Sequence, residues 1–140
     1  MIVSLHVATG GAIGAVSRSR GRAVVLGVLA HAAGDRMRHQ DIPSHRFELV
    51  SGVAALLAIA ARRGVLDPAT VGALAGSVPD IEHVVRLPRP RGRKLFPSHR
   101  IYGFHRSGGV SVQRQLFLAG LLLGALIAPR PNELPTRPSD

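Results

Sequence analysis

Apolar residues run along this chain in long blocks, separated by short polar stretches rich in arginine, proline and glycine. The spacing within the blocks is that of helices rather than strands. Residues 1–16 form the first block and carry His6, with Gly10 and Gly14 four apart, a spacing that lets two helix backbones approach closely. Arg18, Arg20 and Arg22 then break the apolar pattern and predict a turn. Val24, Gly27, His31 and Asp35 recur at three and four, which predicts a second helix over Ala23–Asp35 with these residues on one face. Arg36–Arg46 is polar, contains Pro43 and reads as a loop. Phe47–Arg63 is a third helix, stopped by Gly64.

Asp67-Pro68 opens a fourth helix, with Asp67 as N-cap and Pro68 at the first helical position. It runs through Val71–Val78, is kinked or restarted at Pro79, and continues over Asp80–Arg86. Leu87–Arg100 is a basic loop punctuated by Pro88, Pro90 and Pro97. Ile101–Val112 carries Gly103, Gly108 and Gly109 and supports no regular element. Gln113–Ala128 is the last helix, ended by Pro129, and Pro129–Asp140 reads as a disordered tail. The expectation is an all-α fold: one domain over residues 1–128, a small bundle of about five helices with a basic proline-rich loop.

Composition narrows this picture. Hydrophobic residues make up 46% of the chain but aromatic ones only 4%, so the core is expected to close through small side chains. There is no cysteine, which excludes disulfides and thiolate ligands, so any metal must be held by imidazole and carboxylate. The formal net charge is +10, and Lys94 is the only lysine. Such a balance favours anionic small molecules, phosphate headgroups or a membrane surface, although a GC-rich genome accounts for the same arginine excess. Four Phe, one Tyr and no Trp leave little surface for base stacking, which argues against nucleic acid. Phe47–Ala61 and Leu116–Ala128 are both shorter than the ~20 apolar residues of an ordinary span, and serve equally as buried helices. Met1–Gly14 lacks the basic start of a secretory signal. The expected location is membrane-associated, with the cytoplasm as the alternative.

Three polar constellations interrupt the apolar blocks. His31-Ala-Ala-Gly-Asp35 stacks an imidazole and a carboxylate on one helical face, as a metal pair or as a hydrogen-bonded contact at a helix end. In Val78-Pro-Asp-Ile-Glu-His-Val84, Asp80 and His83 share a face if the helix is regular and Glu82 points elsewhere, while Asp80 also suits an N-cap. His99-Arg100 and His105-Arg106 offer imidazoles from a loop, each beside an arginine able to grip a phosphate or carboxylate, or they belong to a solvated basic loop. His39, Asp41 and His45 fit a surface loop, and Glu48 is a supporting carboxylate or a favourable charge at a helix N-terminus. The candidate metal ligands are therefore His6, His31, Asp35, Asp80, His83, His99 and His105. Asp35 and Asp80 double as candidate general bases, and Arg100 and Arg106 as anion binders. A nitrogen–oxygen shell without sulfur suits a divalent metal, zinc first, with manganese or iron as alternatives.

On these residues the chain resembles the membrane-bound metal-dependent hydrolases, bacterial proteins distantly similar to zinc-dependent phospholipase C. The matching elements are His6-Val-Ala-Thr-Gly10, Pro79-Asp-Ile-Glu-His83, a His-Arg pair at His99 or His105, and His31-Ala-Ala-Gly-Asp35, scattered over residues 1–127. Glu82 stands where the family has a second aspartate, the H-x-x-x-D element precedes the Pro-Asp element instead of following it, and no histidine follows Ser107. The resemblance implies metal-dependent hydrolysis of a phosphoester or lipid-like substrate at a bacterial inner membrane; the alternative is a non-enzymatic small integral or peripheral membrane protein built on small-residue helix packing.

Overall fold

A computed structural model describes residues 1–84, 88–89, 92–101, 104 and 107–129. The described chain is all-helical, with five helices of ten or more residues: α1 (Val3–Ser17), α2 (Arg20–Arg36), α3 (His45–Arg63), α4 (Pro68–Ser77) and, near the end, α7 (Val112–Ile127). A 3-10 turn (Val78–Asp80) and two single turns, α5 (Ile81–Val84) and α6 (Pro97–Arg100), complete it. Arg86, Arg91, His105, Arg106 and residues 130–140 lie outside the described residues, so the tail and the second His-Arg pair are not part of this description.

Local chemistry sets most helix ends. Asp67 Oδ1 accepts from the Ala69 amide at 2.8 Å with Pro68 at the first position, and Gly64 ends α3 at φ 97. Ser44 and Ser111 cap α3 and α7 through the amides of Phe47 and Arg114. The second helix differs from expectation at its start. Arg18 alone makes the turn, in a left-handed conformation at φ 51, and Arg20 and Arg22 already belong to α2. Arginine is a good helix former, and these side chains are exposed, so their charges stay hydrated. Arg20 Nε also donates to the Leu66 carbonyl at 2.8 Å.

Helix α1 is the central strut, and small residues let it be. A Cβ at Gly10 would stand 2.3 Å from the Gly72 carbonyl oxygen, and one at Gly14 only 2.1 Å from that of Pro68. The backbones of α1 and α4 therefore touch directly, as the spacing of Gly10 and Gly14 predicts. Apolar clusters flank this seam: Ile2, Leu5, Ala8, Ile42 and Ala119 on one side, and Val7, Ala55, Ile59, Ala73 and Leu126 on another. Buried Gln115 ties α7 to the start of α1 and to the segment after α2, accepting from the Ile2 amide at 3.1 Å and donating to the Gln40 carbonyl at 2.7 Å.

The loop after α6 returns to α2. Val110 donates to the Arg38 carbonyl at 2.9 Å and accepts from Gln40 at 3.0 Å. Gly109 makes that return possible, since at φ 81 its missing Cβ would lie 2.4 Å from the Arg38 oxygen. Among the described residues no helix is long and apolar enough to cross a membrane. Large apolar side chains nonetheless face outward on three helices, including Val25 and Leu29 of α2, Val50 and Leu57 of α3, and Phe117 and Leu121 of α7.

Candidate metal centre

His6, His31 and Asp35 are all buried, brought together where α1 and α2 pack. The ring of His6 stacks on that of His31 with centroids 3.9 Å apart. Gly34 makes room for this, since a Cβ there would stand 3.2 Å from the His6 ring. The third histidine comes from far along the chain. Pro97 starts the single turn α6 and sets His99 over the end of α2, while Arg36 clasps the following segment by stacking over Phe104 at 5.6 Å.

Four groups from three segments then face one point. His31 Nε2 and His99 Nε2 lie 3.0 and 3.3 Å from Asp35 Oδ2 and 3.4 Å from each other. Asp80 Oδ1 stands farther out, 3.9 Å from His31 and 3.8 Å from His99. Ligand atoms on a tetrahedron with bonds of ~2.0–2.2 Å are about 3.3–3.6 Å apart, so the inner three are already at ligand spacing.

Hydrogen bonds behind the rings decide what these atoms present. His31 Nδ1 faces the Gly76 carbonyl at 2.8 Å, an acceptor, so that nitrogen carries a proton and leaves Nε2 to face the centre. His99 Nδ1 faces Glu82 Oε1 at 2.5 Å, and the other Glu82 oxygen accepts from the Leu95 amide at 2.7 Å. Both rings thus turn their Nε2 atoms toward one buried carboxylate oxygen, Asp35 Oδ2. Such an arrangement is repulsive unless positive charge sits among the three atoms, whether a metal ion or a proton on a ring. Backing of metal-bound histidines by a carbonyl or carboxylate is the usual device for fixing their orientation. The buried His/Asp groups can hold a metal ion: His6, His31 and Asp35 form one such set, and His31, Asp80 and His99 another.

The electrostatics agree. Burial alone raises the Asp35 carboxyl, but the imidazoles of His31, His6 and His99 outweigh it and hold the group well below the carboxylate range. Burial lowers His99, yet Asp35 and Glu82 more than compensate and push it up, so the site draws positive charge. His6 is driven down to about 3 by burial and stays neutral, with its Nδ1 unpartnered. Burial raises Asp80 to about 6, and its Oδ2 is likewise buried without a hydrogen bond.

The other oxygen of Asp35 serves a different neighbourhood. Oδ1 lies 3.1 Å from His6 Nε2 and 3.1 Å from the Met1 amino group, which also meets His39 Nε2.

Three sequence readings need revision. His39 belongs to no surface loop: it is 2% exposed, held by the Met37 carbonyl at 2.6 Å and faced by Asp41. Glu82 does not point away, nor do Asp80 and His83 share a buried face. The 3-10 turn tightens the chain at Asp80, so Asp80 and Glu82 both turn inward while His83 is exposed, packed edge-on against His99 at 4.4 Å. Burial and then neighbouring His99 and Lys94 lower His83 to about 4. Arg100 sits exposed at the end of α6, and Glu48 lines a cavity beside the site, raised by burial. That cavity, about 960 Å³, opens between α1, α3 and α4 and reaches Asp35, Asp80 and His99. No family model, curated protein or solved structure matches the chain.

Proposed function

We propose that this protein is a metal-dependent hydrolase of phosphoester or lipid-like substrates, related to the membrane-bound metal-dependent hydrolases that its motifs resemble. One observation carries the reading: His31 and His99, with ring orientation fixed from behind, converge on one buried oxygen of Asp35 beside a large cavity. His31, Asp35 and His99 would hold the ion, and the sulfur-free donor set favours zinc. A bound divalent cation supplies Lewis-acid polarisation and makes water nucleophilic near neutral pH. Asp80 is the general base. It stands farther from the two histidines than Asp35 does, its carboxyl titrates at about 6, and it borders the cavity where a substrate would lie. Glu82 holds the His99 ring, and Lys94, at the cavity wall, neutralises an anionic substrate.

Metal content and hydrolysis of nitrophenyl phosphate esters test this together. Protein purified without added metal is expected to contain about one equivalent of zinc. Asp80→Asn should lose at least about 100-fold in hydrolysis while keeping its metal. Retention of full metal content by both His31→Ala and Asp35→Asn would sink the proposal. The outward apolar faces of α2, α3 and α7 support seating at a membrane surface, with the positive net charge drawing the protein to anionic lipid. Anionic vesicles should bind it more weakly as salt rises, and equal binding to neutral vesicles at all salt concentrations would remove the electrostatic part.

A further inference from the structure

The cavity beside the metal centre joins charged groups to an apolar wall. Asp35, Asp80 and His99 of the centre line it, and Lys94 and Arg46 add positive charge. Asp41, His45 and Glu48 also line it, but much of the wall is apolar: Val7 and Leu56, with Leu49, Val53, Leu74 and Ile81 as large apolar residues that both line it and stand exposed. Exposed apolar residues gathered around one opening are uncommon on a soluble surface and mark a binding groove. About 960 Å³ is at the upper end of ligand pockets, more than a small polar phosphoester needs.

We propose that this trough binds the alkyl chain of a single-chain anionic amphiphile, with the charged head at the metal centre and the chain running out between α3 and α4. The inference rests on the metal-centre reading for the position of the head, but the chain site stands on the trough alone. One cavity offers both the charged groups and the large apolar side chains that such a molecule needs. A compact phosphate ester would leave the apolar length unfilled. A purely apolar ligand would bury Asp35, Asp80 and Lys94 without a partner for their charge.

Calorimetric titration of the zinc-loaded full chain with n-butyl, n-octyl and n-dodecyl phosphate, each below its micelle concentration, tests this. Affinity should rise about two- to fourfold per methylene, as expected for burial of each group in an apolar site. Chelated protein should keep that chain-length dependence while binding every member more weakly. Val53→Asp, at an exposed position of α3, should flatten the dependence without changing the melting temperature, and Leu57→Asp, outside the trough, should not. Affinity independent of chain length in zinc-loaded protein overturns the proposal and leaves the hydrolase reading standing. Chain-length dependence in protein that takes up no zinc does the reverse. Binding to anionic vesicles without binding of monomeric dodecyl phosphate places the apolar contacts on the outer surface, and also overturns it.

Discussion

His31 and His99 face the same carboxylate oxygen at 3.0 and 3.3 Å, yet they are held by different kinds of structure. His31 belongs to a 17-residue helix, buried against α4, where Gly27 lets the backbones approach until a Cβ would lie 2.7 Å from the Gly72 oxygen. His99 rides a four-residue turn after a proline-broken basic segment, positioned by one carboxylate and one stacked arginine. Half of the centre is therefore built by folding, and the other half is brought to it. A cation that bonds both would fasten the loop half to the bundle half.

The comparison breaks most severely at the seam. Gly72→Leu would drive a side chain into the Gly10 oxygen, 2.4 Å from where its Cβ must stand, with backbone on the receiving side. Overpacking of this kind costs a few kcal/mol, so the melting temperature should fall by at least about 10 °C and metal binding should fail with it. Asp35→Asn comes next. It keeps the shape but removes the charge on which the three imidazoles converge, and a chromophoric chelator competition should show at least about 100-fold weaker zinc binding. Glu82→Gln touches only the loop half. Zinc affinity should drop about 10- to 100-fold, while the chelated protein melts within about 2 °C of the parent. A large loss of stability in that variant would show the loop to be part of the core.

The smallest effect is the response of the chelated protein to acid. His6 has its proton affinity lowered from 6.5 to about 3 in the folded state, so the unfolded chain binds more protons between those values. Stability from this source is complete above pH 6.5 and is lost as pH falls toward 3. Asp80, raised from 3.8 to about 6, works in the opposite direction over a narrower window and offsets part of the loss. Melting temperatures measured between pH 7 and 4 should decline, and a flat profile would mean that His6 is not held neutral. Zinc should protect less as pH falls, because protons compete for His99.

The two halves also differ in how far the sequence disclosed them. The bundle half was readable: the four-residue glycine spacing, the H-x-x-x-D face and the Asp67-Pro68 start all have counterparts in the fold. Each depends on local geometry that a regular helix repeats. The loop half depends on departures from regularity. No spacing rule shows that Val78–Asp80 tightens into a 3-10 turn, and that change of pitch reverses the roles of Glu82 and His83. His39 was missed for a related reason. A polar, proline-containing stretch reads as surface, but backbone pairing of residues 38–40 with Val110, permitted by Gly109, covers it. The buried glutamate three residues after Pro79 was a usable signal, since a carboxylate beside an aspartate and a histidine in an apolar context needs a partner.

The glycine seam has a consequence for how this chain can diverge. The fold is secured on the side of α1 that meets α4, where Gly10, Gly14 and Gly72 admit no larger residue. Leu49 and Val53 of α3 stand 41% and 47% exposed and are not part of that seam. Mutations at the trough rim can therefore accumulate with little loss of stability, whereas the seam is closed to variation. A lineage built on this scaffold would keep its glycines and its histidines while changing what it binds one rim residue at a time.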